Sequence, residues 1–260
     1  MQLWALVFFC IATVLLIPLE VWLWGGIAFL TSVVLTILAR EATFQRRMGI
    51  LLGCILLLAL SPISTETSNV KFLTLGLPFL LVVLLPPLLL RKSDPGVISF
   101  RMFPEKFSKL EFFYTVLSAP LAYFAFKLYF TLSPEVPYNW VLPAEPDDDS
   151  LLRLFIGINM VGIWDELFFV NTCFALLRSL FPFWKANIGQ SVVYVSVLYD
   201  MAFRGYGPLF VLFLAITQGI MFQRSRALIY VLVVHLIVDY FLFQAIVETY
   251  YPGFKAWWHP

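Results

Sequence analysis

The sequence predicts an all-α fold: a polytopic membrane helix bundle of eight or nine transmembrane helices. Three observations carry that expectation. The chain is 61% hydrophobic and only 13% charged, whereas an ordinary soluble domain carries about 25% charged residues. Its apolar residues come in runs of roughly 20, the length a helix needs to cross a bilayer. Its basic residues recur in alternate connections, as in chains that thread a membrane.

The apolar runs fall at about 3–18, 20–39, 48–64, 72–90, 111–132, 151–177, 187–203, 207–222 and 227–247. Only Pro18-Leu19-Glu20 divides the first two. They read either as a tight hairpin or as one broken element, hence eight or nine spans. The opening MQLWALVFFCIATVLLIPLEVWLW lacks a basic n-region and a small-x-small cleavage site, so it reads as a retained span. Arg40, Arg46 and Arg47 follow the second run, and Arg91, Lys92, Arg101, Lys106 and Lys109 follow the fourth. Arg178 and Lys185 follow the sixth, and Arg224 and Arg226 the eighth. The connections between them are poor in Lys and Arg. STETSNVK has one, and SPEVPYNWVLPAEPDDDS has none but carries five carboxylates. The bias places the N-terminus in the cytoplasm and the tail ETYYPGFKAWWHP outside. The connection at 92–110 mixes Phe with Lys and suits an interfacial element. It separates N-terminal transmembrane helices (1–91) from a core at 111–247, which a short tail at 248–260 follows.

A net charge of +1 offers no basic balance to attract nucleic acid. Cys10, Cys54 and Cys173 all lie in apolar runs without CxxC spacing. They read as small buried hydrophobes rather than as zinc ligands or a disulfide framework.

The charges that need explaining are those at membrane depth. Each costs at least about 2.5–3.5 kcal/mol on insertion scales, and such groups usually face the bundle interior. Asp165 and Glu166 lie in the sixth run, Asp200 in the seventh, and His235 and Asp239 in the ninth. At helical rise, Asp165 and Asp200 lie about 18 and 20 Å from the basic end, and His235 about 12 Å from it, with Asp239 one turn further. Three helices thus bring acids and an imidazole to a similar level. His235 and Asp239 share a helix face by their i,i+4 spacing. Asn159, Glu166 and Cys173 recur every seven residues, and Asp165 and Thr172 share the neighbouring face. A carboxylate and an imidazole in a dry site can activate water, and a second donor can steady an oxyanion. The bland alternatives are a structural ion pair and a proton path.

The ordered set resembles the CPBP family, the CAAX prenyl endopeptidases and bacteriocin-processing enzymes, which are glutamic-type intramembrane proteases. That family carries Glu-Glu-x-x-x-Arg, then Phe-x-x-x-His, then His-x-x-x-Asn or Asp. Here WDELFFVNTCFALLRSLFPFW resembles the first motif and its helix end, VSVLYDMAF stands at the second, and ALIYVLVVHLIVDYF resembles the third. FLAITQGIMFQRSRALIY is similar to the family's Gly-containing helix and turn. The resemblance covers about residues 150–247. It implies that Asp165 takes the place of the water-activating Glu and Glu166 that of the second Glu. It also implies that His235 and Asp239 line the site and help hold the oxyanion. The motif Arg falls on Val170, the second-motif Phe on Tyr199 and its His on Phe203. Asp200, Tyr199 and Asn159 are the accessory candidates. The resemblance implies no cofactor and no metal. It implies a hydrophobic or prenylated protein or peptide substrate met at membrane lipid, and a bacterial inner membrane as the location. An inactive relative acting as a membrane binding partner or scaffold is the alternative.

Overall fold

The computed structural model describes residues 1–133, 141–144, 146–200 and 203–253, with only the backbone of Asp200. Among these residues every regular element is a helix. In order they are α1 (Gln2–Leu16), α2 (Trp22–Leu38), α3 (Ala42–Ala59), α4 (Asn69–Leu90), α5 (Lys109–Leu132) and α6 (Asp148–Asp165). A π-helical segment (Glu166–Cys173) continues α6 directly into α7 (Phe174–Leu180). Then come α8 (Phe183–Asp200), α9 (Gly207–Ser225) and α10 (Leu228–Tyr250). Six of these rods are long and apolar enough to cross a membrane, counting α6 to α7 as one; α1 and α2 are shorter apolar helices.

The outer surface is what lipid requires. Along α4, Leu73, Leu77, Leu80, Leu84 and Leu88 repeat at helical spacing and are all exposed. Asp165, Glu166, Asn171, Gln190, Gln218, His235 and Asp239 are buried instead. Exposed leucines and buried carboxylates invert the soluble pattern and match a bundle whose solvent is hydrocarbon. The protein is an integral membrane helix bundle.

The first two runs form a hairpin, not one broken rod. Glu20 takes φ +51° in the connecting turn, and Ser32 Oγ donates to the Ala5 carbonyl across the pair at 2.8 Å.

Contacts between connections define the two ends of the bundle. At one end Arg46 and Arg47 each hold Asp94 at 2.7 Å, and Arg224 reaches Glu111 at 3.2 Å. The 91–108 connection is bound there too, because the Leu228 N–H donates to the Arg101 carbonyl at 2.9 Å. At the other end Val141 N–H donates to Thr65 Oγ1 at 2.9 Å, and Arg153 Nη2 donates to the Thr67 carbonyl at 3.0 Å. The two arginines facing Asp94 hold its carboxyl below the usual carboxylate range.

Helix starts follow local rules. Ser68, Ser108 and Asp147 cap α4, α5 and α6 by accepting from the N–H of Lys71, Leu110 and Ser150, which satisfies donors left open in the first turn. The left-handed Arg226 (φ 50°) turns the chain from α9 into α10.

Candidate active site

The site is built where α6, the π-segment, α8, α9 and α10 meet. Asp165 is the last residue of α6 and Glu166 the first of the π-segment. A π-segment widens the turn to i→i+5 bonds, so the seven-residue face read from Asn159 through Glu166 to Cys173 does not continue past Glu166. Phe168 through Cys173 are buried on every side. Adjacent carboxylates point apart on any helix, and here they meet different surroundings.

Glu166 faces inward. Its Oε1 accepts from Tyr194 OH at 3.0 Å and from Gln218 Nε2 at 3.2 Å, and lies 2.7 Å from His235 Nδ1. Gln218 Nε2 also donates to the Val231 carbonyl at 2.8 Å, tying α9 to α10. Tyr194 stacks on Phe169 with ring centroids 4.5 Å apart, which fixes its hydroxyl beside both Glu166 and His235 Nδ1, the latter at 2.9 Å. With Nδ1–H assigned to Glu166, His235 Nε2 points the other way. It lies 3.5 Å from Asp239 Oδ1 and 3.9 Å from Asp165 Oδ2. Three carboxylates therefore surround one imidazole. A charged ring with both N–H groups matches that field, and each partner orients the ring further.

Gly162, one turn before Glu166 on α6, makes the approach possible. A Cβ there would run into Asp239 Oδ2 and lie 2.7 Å from His235 Cδ2. Only glycine lets α10 close in far enough to bring His235 Nε2 within 3.9 Å of Asp165 Oδ2. Gly219 plays the matching part between α9 and α8, where a Cβ would strike Asn187 Oδ1. That closeness lets Gln190 Nε2 donate to the Ala215 carbonyl at 2.8 Å.

Asp165, His235 and Asp239 form part of the wall of a cavity of about 710 Å³, within the size range of ligand sites. Glu166 is not part of that wall. Among the described residues, Asp165 Oδ1, Glu166 Oε2 and Asp239 Oδ2 have no hydrogen-bond partner. The cavity is mainly apolar, with polar side chains at Ser64–Thr67 and Lys71, and runs between α5 and α9, with Phe126, Phe203 and Phe210 on its wall. Two tyrosines bridge α5 to the α9 region at its ends: Tyr114 OH donates to Thr217 Oγ1 at 2.8 Å, and Tyr129 OH to the Arg204 carbonyl at 3.1 Å. Between those bridges the wall includes Phe124, Leu128, Leu209 and Phe213, which are also exposed to the surrounding lipid.

Four of the sequence candidates, Asp165, Glu166, His235 and Asp239, converge. Asn159 does not join them; its amide donates to the Phe155 carbonyl at 2.8 Å within its own helix. Tyr199 also stays apart, with the Arg204 guanidinium 5.7 Å over its ring. The reason is angular: Tyr199 lies five residues, about 140° of helix, from Tyr194. The side chain of Asp200 lies outside the described residues. Phe203 is on the cavity wall, and Val170 is packed in the core away from it. Sequence reasoning missed Tyr194, Gln218 and Gly162. The signal for Gln218 was an amide inside an apolar run; Tyr194 and Gly162 gave none without a neighbouring helix. Among the described residues no group of three or more His, Cys, Asp or Glu side chains is arranged to hold a metal ion.

Fold and site together define a helical membrane protein with a buried carboxylate–imidazole cluster on the wall of an apolar cavity. Residues 147–241 match the family model described as "Type II CAAX prenyl endopeptidase Rce1-like". The match is confined to that region, about a third of the chain, and spans all four convergent residues together with Tyr194 and Gln218. No curated protein and no solved structure matches the chain. The family supports a CAAX-protease-like intramembrane endopeptidase at that general level.

Proposed function

We propose that the protein cleaves a membrane-associated protein or peptide, near its C-terminus or leader, with water activated by Asp165. The observation that carries this reading is the convergence of Asp165 and His235 on one cavity wall. Their 3.9 Å separation exceeds a direct hydrogen bond and is one that a shared water spans. Asp165 takes a proton as the water oxygen attacks the scissile carbonyl carbon. His235 Nε2–H donates to the oxyanion that forms, stabilisation of the kind usually largest in such sites. Collapse breaks the C–N bond, and the proton held by Asp165 leaves with the amine. Glu166 and Asp239 are positioning residues: Glu166 fixes Nδ1, and Asp239 steadies the Nε2 side. The apolar wall suits a lipidated or otherwise hydrophobic segment.

The test is hydrolysis of membrane-anchored peptides by the full chain in lipid nanodiscs. Asp165→Asn and His235→Ala each lower the rate by roughly 10²–10⁴-fold while Glu105→Gln, exposed on the 91–108 connection and away from the cavity, does not. Full processing by either of the first two would sink the assignment. An inactive scaffold instead predicts no turnover in the unaltered chain.

A further inference from the structure

The cavity has a direction that the chemistry alone does not supply. From Asp165, His235 and Asp239 its wall runs to Ser64, Glu66, Lys71, Leu142 and Tyr206. The first four belong to the connections and helix ends that meet around Thr65, Thr67 and Val141, and the Tyr206 N–H donates to Ser133 Oγ, just past the end of α5, at 3.3 Å. The opposite end gives it no wall residue from the 91–108 connection, the α7–α8 turn or the α9–α10 turn. That opposite end carries Arg40, Arg46 and Arg47, the Arg and Lys of 91–109, and Arg178, Lys185, Arg224 and Arg226. The cavity end carries Glu20, Glu66 and the Asp147–Asp149 run against few basic residues. Short connections rich in Lys and Arg stay in the cytoplasm, and the connections at both ends are short.

We propose that the site is served from the extracytoplasmic face. Its substrate is then a translocated polypeptide held in the outer leaflet by an apolar anchor, not a lipidated tail presented from the cytoplasm. The apolar anchor enters between α5 and α9, where Phe124, Leu128, Leu209 and Phe213 are at once cavity wall and exposed surface. The polypeptide lies towards the polar mouth at Ser64–Thr67. This rests on the hydrolytic reading for the word substrate, but not for the direction of access.

The two are separated by experiment. Ser64→Cys and Glu66→Cys are made in the full chain, with Lys106→Cys as the marker of the other end and the unaltered chain as the blank. Each is expressed in a bacterial inner membrane and treated with a membrane-impermeant maleimide. The mouth cysteines label in intact spheroplasts, and Lys106→Cys labels only after permeabilisation. The reverse pattern at both mouth positions overturns the proposal. A peptide reporter carrying an apolar anchor is then displayed on either side of the membrane. Cleavage confined to the outside display, and lost when Glu66→Cys carries a bulky maleimide, supports the proposal; cleavage confined to the cytoplasmic display refutes it. Outside labelling without cleavage of either reporter leaves the access route standing and refutes hydrolysis instead.

Discussion

Gly162→Ala tests the site through one methyl group. Inside an exposed helix the change would gain about 1 kcal/mol of propensity. Here the new Cβ would lie 2.7 Å from His235 Cδ2 and overlap Asp239 Oδ2. Carbon atoms pack comfortably at about 3.5–4.0 Å, so His235 must withdraw by roughly 1 Å. The neighbours resist. His235 Nδ1 is held by Glu166 at 2.7 Å and Tyr194 at 2.9 Å, and the ring is nearly fully buried. Overpacking of this kind costs about 1–3 kcal/mol, so the net loss of stability is only about 0–2 kcal/mol after the propensity gain. Rate is far more sensitive, because a 1 Å misplacement of a catalytic group can cost about 10²-fold. The assay is turnover of a membrane-anchored peptide, read beside the thermal unfolding midpoint of the same sample. The expected result is a turnover loss near 10²-fold with a small shift in midpoint. Unchanged turnover would refute the reasoning that Gly162 sets the distance from α10 to Asp165. A large midpoint loss with normal turnover in the surviving fraction would assign Gly162 to packing alone.

Three further outcomes follow from the same contacts. Tyr194→Phe removes a buried donor to Glu166 Oε1, worth about 1 kcal/mol. It should lower kcat about fivefold and displace the pH–rate profile while leaving KM in place; a KM effect alone would speak against a positioning role. Gln218→Leu removes the second donor and the α9–α10 tie, and should lower both the thermal midpoint and kcat. Asp94→Asn breaks two charge-assisted bonds at the basic end, and with one arginine partly exposed the loss is about 1–2 kcal/mol. Because the Asp94 carboxyl is depressed below 3.8 in the folded protein, its stabilisation is present above about pH 4 and is lost as pH falls through the folded value. The gap between wild-type and Asp94→Asn midpoints should therefore close in acid; a gap that widened would contradict the linkage.

The amino-acid sequence determined the fold class and the candidate chemistry. Runs of apolar residues can only be helices in lipid, where every backbone group must be paired within its own segment. A charge in such a run is costly enough to be noticed without coordinates, and an i,i+4 pair such as His235 and Asp239 shares a face by helix geometry alone. Those rules are local, and they located Asp165, Glu166, His235 and Asp239. Tertiary structure decided what depends on how one helix sits against another. The π-segment after Asp165 sends Glu166 inward and leaves Asp165 on the cavity. The rotation of α8 presents Tyr194 to the cluster and turns Tyr199 away. Gly162 and Gln218 act only through neighbours from α10 and the π-segment. Helical period fixes the angles within one rod. The rotation and approach of a second rod come from packing over many residues, which no single motif encodes.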